Sequence, residues 1–276
     1  MQKLRRLIQI AAIALSNGYI KGFMGNGLYQ GPLKQLCLPG LNCYSCPGAL
    51  GSCPIGALQA VISSRSFNFS FYVVGFLIAV GSLGGRLTCG FLCPFGFIQD
   101  LLYKIKCKKI KKPRFDTQLD FIRYGVLVIF VVLLPIVAVN FIGQGDPWFC
   151  KYLCPSGTLM AAIPQLIINH GLFSAAGWLF AIKAGILAAL LLLSIKIYRP
   201  FCRYLCPLGA IYGLLNPVSL YRLKHLESSC THCEGCKQAC PMGLDPAATP
   251  NSPKCVRCGT CTKACKQKAL LPTFGR

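Results

Sequence analysis

Residues 198–213 read YRPFCRYLCPLGAIYG and follow an apolar run, residues 172–197, long enough to cross a bilayer. Within the stretch, Cys202-x3-Cys206-Pro-x-Gly sets two thiols about one helical turn apart, and Pro207 then interrupts the helix. The same Cys-Pro-x-Gly occurs at Cys53, Cys93, Cys154 and Cys240. The copies at Cys53, Cys93, Cys154 and Cys206 adjoin apolar stretches, whereas that at Cys240 closes a cysteine run in a polar tail. One motif repeated in both settings points to one chemistry continued through both, electron transfer by iron–sulfur clusters.

Composition agrees with a membrane setting. Of 276 residues, 54% are hydrophobic and 13% charged, and the mean hydropathy of +0.54 is too high for an ordinary soluble domain. Seven acids face 29 bases, a formal charge of +22. The bases gather beside apolar runs, which suits a membrane surface and not nucleic acid. Sixteen thiolates on four clusters would lower the sum to about +14, since each oxidised cluster with its ligands carries about −2. Nineteen cysteines are too many for chance core thiols, and the chain is too long and apolar for a secreted disulfide scaffold. Lys3, Arg5 and Arg6 precede a short apolar run without a small-x-small cleavage site, which reads as an uncleaved membrane helix.

Four spans are expected, at residues 7–20, 69–85, 124–142 and 172–197. Residues 158–168 are too short to span and contain Pro164, which suits a re-entrant or interfacial helix. KIKCKKIKKPR at residues 104–114 carries seven bases; Lys196, Arg199, Arg203, Arg222 and Lys224 follow the last span. The opposite loops offer only Lys21, Lys34, Arg65 and Lys151. Both termini are therefore expected on the cytoplasmic side of a prokaryotic cytoplasmic membrane. The expected fold is an α-helical multi-pass membrane protein with broken CPXG helices in two parallel repeats, residues 1–115 and 116–222. A small α+β ferredoxin domain follows at residues 223–276. A two-fold axis along the membrane normal would set Cys53 near Cys154 on the outer side and Cys93 near Cys206 on the inner side.

The tail is the most specific signal. Cys230-x2-Cys233-x2-Cys236-x3-Cys240-Pro precedes Cys255-x2-Cys258-x2-Cys261-x3-Cys265. This doubled run is the two-cluster bacterial ferredoxin pattern, in which each fourth cysteine serves the other cluster. The expected sets are Cys230, Cys233, Cys236 with Cys265, and Cys255, Cys258, Cys261 with Cys240. Zinc also uses paired C-x2-C, but eight cysteines at this interval disfavour it. Lys266 stands after Cys265 where the pattern has Pro, which removes a rigid neighbour and no ligand.

Cys89-x3-Cys93-Pro and Cys202-x3-Cys206-Pro together supply four thiolates for an inner membrane cluster. On GRLTCGFLCPFG and YRPFCRYLCPLGAIYG the chain resembles the NapH-type polytopic membrane ferredoxins. The resemblance implies quinol- or ferredoxin-linked electron transfer at the cytoplasmic membrane, within a larger redox assembly. Arg86 and Arg203 are candidates to offset the cluster's negative charge, with positive-inside anchoring as the alternative. The chain departs from the simplest such proteins in an outer set, within CLPGLNCYSCPGALGSCPIG and DPWFCKYLCPSG. Cys150, Cys154 and Cys53 are its expected ligands. Ala49 occupies the counterpart of the fourth, so Cys46 is chosen; Cys37 and Cys43 are left to a disulfide, to replacing Cys46, or to another cofactor. Cys107 is expected to be a free thiol, and Lys183, a charge within a span, to snorkel or to sit near a cluster. His170, His225 and His232 lack haem-type context, and Trp148 and Trp178 suit interface belts.

The expected role is thus a carrier with four [4Fe-4S] clusters, two in the tail, one inner and one outer. It has no catalytic residue of its own and works with other redox subunits, a cytosolic donor or acceptor and an outer-face flavoprotein or cytochrome. A quinone-linked dehydrogenase subunit and a thiol-based metal-handling protein are the rivals. Four Met and three His speak against the latter.

Overall fold

The computed structural model describes residues 2–25, 27–63, 71–111, 113, 116–139, 145–173 and 177–275. Helix α1 (Gln2–Ser16) leads to a long loop, α2 (Pro54–Ser63), α3 (Phe71–Gly84), α4 (Leu87–Phe91) and α5 (Pro94–Leu102). Helix α6 (Asp116–Val126) continues through a wide π turn, Leu127–Leu133, into α7 (Leu134–Val137). After a π turn at Phe149–Leu153 come α8 (Pro155–Gly157), a further π turn (Thr158–Ala162) and α9 (Ile163–Ile168). Then follow α10 (Trp178–Lys196), α11 (Pro200–Tyr204) and α12 (Pro207–Leu215). The tail is strand β1 (Tyr221–His225), α13 (Gly235–Ala239), α14 (Thr260–Ala264) and strand β2 (Leu270–Phe274). The strands pair antiparallel, Tyr221 opposite Phe274 and His225 opposite Leu270, so the tail closes on itself.

Among the described residues two helices, Gln118–Val137 and Trp178–Lys196, are long and apolar enough to cross a membrane. Val128, Ile129, Trp178 and Leu192 on them are exposed, apolar surface that water penalises by about 25 cal/mol per Å². Helices α1 and α3, counted as spans from the sequence, run 15 and 14 residues, short of the roughly 20 of a straight span. Residues 69–70, 140–142 and 174–176 of the expected spans lie outside the described residues, as do Arg65, Lys112, Arg114 and the side chain of His170. The expected re-entrant piece forms one apolar helix of mixed pitch, Pro155–Ile168.

Three of the CPXG copies break the chain in the same way. Cys93, Cys154 and Cys206 take extended backbone angles at helix N-caps, with proline at the first helical position. The glycine amide then donates back to sulfur, Gly96 to Cys93 Sγ at 3.4 Å and Gly209 to Cys206 Sγ at 3.3 Å. Cysteine thus takes the capping place usual for Ser or Asp. A side chain at Gly96 would stand 3.1 Å from the Arg199 guanidinium, and one at Gly209 3.1 Å from that of Arg86.

Gly85 turns the chain between α3 and α4 at φ +52°, and a Cβ there would collide with Asn216 Oδ1. That oxygen accepts from the Arg86 amide at 2.8 Å. Gly85→Ala is expected to cost about 1–3 kcal/mol from strain and overpacking, seen as a lower thermal midpoint in detergent.

Candidate metal centres

Cys89, Cys93, Cys202 and Cys206 are all buried and lie within electrostatic reach of one another. The turn carrying the last two is wider than an α turn, because the Cys206 amide bonds Phe201 O five residues back at 2.9 Å. Two guanidiniums flank the set. Arg86 donates to Cys202 O at 2.6 Å, and Arg199 donates to Cys89 O. Each precedes its own cysteine by three residues and reaches the carbonyl of the other cysteine. Arg199 is held in turn by Asp100 in a bidentate pair of 2.7 and 2.5 Å, to which Arg5 adds a bond of 2.9 Å. The arginines singled out from sequence were Arg86 and Arg203. Arg203 instead pairs with Asp116 at 2.5 Å and bonds Lys111 O; Arg199 holds the place expected for it. The signal was present as Arg-x2-Cys in both stretches.

At the outer set, Cys43, Cys53, Cys150 and Cys154 line one cavity of about 310 Å³ together with Lys183. Gly56 and Gly157 lie beside these sulfurs, with Cβ positions 3.9 Å from Cys150 Sγ and 3.7 Å from Cys43 Sγ. The wide turn recurs, the Cys154 amide bonding Phe149 O at 2.9 Å. Cys46, chosen from sequence, does not line this cavity. It is buried in the next turn beneath the amides of Gly48 and Ala49, because the Cys43 carbonyl accepts from its amide at 3.1 Å and turns the chain there. Lys183 donates to Cys150 O at 3.2 Å, so it is anchored at this set and does not snorkel. Cys37 pairs with Ser52 through the backbone, and Cys107 is exposed.

The loop that bears Cys43 also touches the inner set. The Leu41 backbone lies beside the Cys93 sulfur and the next one, Asn42, beside the Cys53 sulfur. The approach is close enough that a Cβ on Gly40 would stand 3.0 Å from Cys93 Cα. Tyr212, fully buried, lies within electrostatic reach of Cys89 and Cys93 and also of Cys53 and Cys37.

In the tail, one cavity of about 410 Å³ is lined by Cys230, Cys233, Cys236 and Cys265. A second pocket is lined by Cys240, Cys255, Cys258 and Cys261. These are the crossed sets the spacing predicts. Both C-x2-C loops use left-handed residues at matching places, His232 and Glu234 in one, Arg257 and Gly259 in the other. Such alternation turns successive amides toward one volume, as around anionic clusters. Burial pushes the Cys255 thiol up to about 11 and that of Cys261 up to about 12, so thiolates there need a compensating cation, which ties ligation to folding. The Gly235 amide lowers the exposed Cys233 thiol.

Among the described residues, no three Cys, His, Asp or Glu side chains converge closely enough to hold a single metal ion. Tetrahedral zinc, with bonds of about 2.3 Å, would draw its sulfurs to within about 3.8 Å of each other. The Cys230 set and the set of Cys43, Cys53, Cys150 and Cys154 instead surround volumes of about 410 and 310 Å³, and amides donate to the sulfurs of Cys93 and Cys206 in the inner set, which fits cubane clusters.

The second tail set sits against the inner one. Arg86 donates to Pro253 O at 3.1 Å and Lys254 O at 3.2 Å, and Asn216 Nδ2 to Ser252 O and Cys255 O, both at 2.9 Å. Arg257 returns the contact to Gly84 O at 2.9 Å and to Asn216 O and Ser219 Oγ at 2.7 Å. Lys254 pairs with Asp116 and Asp120 of α6.

A mainly helical chain with cysteine quartets at broken helices and a crossed two-set tail is a ferredoxin-type iron–sulfur carrier. The description of a 4Fe-4S binding domain matches residues 69–113, 124–167 and 176–224, together half of the chain. The chain belongs to this 4Fe-4S binding family. It is 30% identical to the methylamine utilization ferredoxin-type protein MauN of Methylorubrum extorquens, over 88% of this chain and 76% of that protein. It is 24% identical to the ferredoxin-type protein NapH of Haemophilus influenzae, over 96% of this chain and 87% of that protein. An uncharacterised protein of Methanocaldococcus jannaschii is 26% identical, over 79% and 84%. No solved structure matches. The likeness to NapH-type ferredoxins read from the cysteine stretches is therefore shown, and the chain is an iron–sulfur electron-transfer protein.

Proposed function

We propose that the chain conducts electrons along four [4Fe-4S] clusters between the cytoplasmic side and the outer face of a prokaryotic cytoplasmic membrane. The observation that carries this reading is the order of the cysteine quartets. The exposed Cys230 set lies farthest out on the tail, followed by the set of Cys240, Cys255, Cys258 and Cys261. Next come Cys89, Cys93, Cys202 and Cys206, and then Cys43, Cys53, Cys150 and Cys154. Each successive pair shares packed residues: Leu223 and Leu270 with Cys236, Cys255 and Cys261 between the tail sets, Asn216 and Arg86 at the tail junction, and Leu41, Asn42 and Tyr212 between the membrane sets. When bound, the clusters supply one-electron chemistry; the chain supplies burial, amide donors to sulfur and spacing.

Four spans in two parallel halves, with both termini cytoplasmic, give the route its direction through the bilayer. The membrane part runs to Leu220, and the cytoplasmic ferredoxin domain begins with strand β1 at Tyr221, two residues before the boundary read from sequence. The broken helices bring the inner and outer sets inward from the surfaces, so no single hop crosses the roughly 30 Å hydrocarbon core. A soluble redox protein docks at the Cys230 set, and an outer-face flavoprotein or cytochrome meets the outer set through its cavity. Iron and sulfide quantitation with EPR of the purified protein tests this. About sixteen irons and four cluster signals are expected; about eight irons, the tail alone, would refute the membrane route.

A further inference from the structure

Two glutamines that the electron route does not use, Gln59 and Gln99, occupy the same position in the two membrane sites. Each stands six residues after its CPXG cysteine, on α2 and α5 respectively, and each is fully buried. Gln99 Oε1 accepts from the Phe201 amide at 3.2 Å, and its Nε2 donates to Cys202 Sγ at 3.2 Å. Gln59 Oε1 accepts from the Phe149 amide at 3.0 Å, and its Nε2 donates to Cys150 Sγ at 3.2 Å. The remaining Nε2 hydrogen reaches the helix's own carbonyl at 3.4 Å in both, Phe95 O and Ile55 O. The backbone N–H of the phenylalanine fixes the amide's orientation, since only the oxygen can accept from it, and so the nitrogen must face sulfur. Met160 and Tyr212 stand at the same offset after Cys154 and Cys206, so each site receives this donor from the N-terminal half alone.

We propose that Gln59 and Gln99 are positioning residues that separately raise the reduction potentials of the outer and inner clusters. The inference rests on the four-cluster reading above. A neutral N–H donor directed at a ligand sulfur interacts more strongly with the reduced, more negative cluster than with the oxidised one. The buried setting strengthens that bond, and no water competes for it. Arg86 and Arg199 serve the inner site alone, so the glutamine pair is the control the two sites share.

The test is redox titration monitored by EPR on full-length wild type, Q99L and Q59L, with iron counted in each. Q99L is expected to disfavour reduction of the inner cluster by up to tenfold, a downward shift of about 59 mV for a one-electron couple, and to leave the outer potential alone. Q59L should do the reverse. Q99E keeps the acceptor for Phe201 but donates to sulfur only when protonated, so it should add a pH dependence to the inner potential that wild type lacks. Unchanged potentials with about sixteen irons present would overturn the proposal. So would loss of the cluster from both the Leu and the Glu variant, which would make the pair an assembly element. A wild type with too little iron would instead refute the four-cluster reading itself.

Discussion

Cys43→Ser is expected to lower the iron content from about sixteen to about twelve and to remove one EPR signal, while Cys46→Ser leaves both unchanged. The reason is the turn after Cys43. The Cys46 amide bonds the Cys43 carbonyl at 3.1 Å, which carries Cys46 away from the cavity shared by Cys43, Cys53, Cys150 and Cys154. A serine at position 43 places a weak, protonated oxygen donor where a thiolate is required, and three ligands hold a cube poorly. The tail and inner sets share no ligand with this one, so their signals should persist. Loss of the signal from Cys46→Ser, with Cys43→Ser unaffected, would restore the choice made from sequence.

Arg86→Met is expected to separate the ferredoxin domain from the membrane part. Arg86 is wholly buried and spends its donors on three carbonyls, those of Cys202, Pro253 and Lys254. Hydrogen bonds from a charged donor contribute about 1.5–3 kcal/mol each, and carbonyls left unpaired in a buried junction add about 1–3 kcal/mol apiece. These terms overlap, and a net weakening of about 2–5 kcal/mol follows from the unpaired carbonyls. The expected readouts are faster proteolysis between α12 and β1 and loss of magnetic coupling between the inner cluster and the nearer tail cluster. Arg86→Lys should not rescue, because an ammonium lacks the planar fork that reaches carbonyls on two elements. Retained coupling in Arg86→Met would mean that Arg257, Asn216 and Lys254 suffice.

Much of the site was legible because ligand spacing is local. The C-x2-C runs, the C-x3-C-P pairs and the crossing of the fourth tail cysteine all follow from how far a short loop can place its sulfurs. The repeat of CPXG also led to Cys53 beside Cys154 and Cys93 beside Cys206, and the geometry brings those residues together. Helix spans were less legible. Two stretches counted as spans form helices of 15 and 14 residues, since hydropathy registers apolar content without saying where a glycine or a CPXG will end the helix. Cys43 was left as one alternative to Cys46, and Arg199 and the two glutamines were missed, for a common reason. Their partners lie tens of residues away or more, on elements whose approach no local pattern encodes.

By itself the sequence determined the chemistry: sixteen or more thiols in cluster spacing, a doubled ferredoxin cysteine run in the tail, and apolar runs bordered by bases. The tertiary structure alone decided which thiols share a site, which arginines flank it and how the sites follow one another. Spacing constrains sulfurs a few bonds apart, whereas the loop at Gly40–Cys43 acquires its role only when packing seats it between two helix-capping cysteines from different parts of the chain.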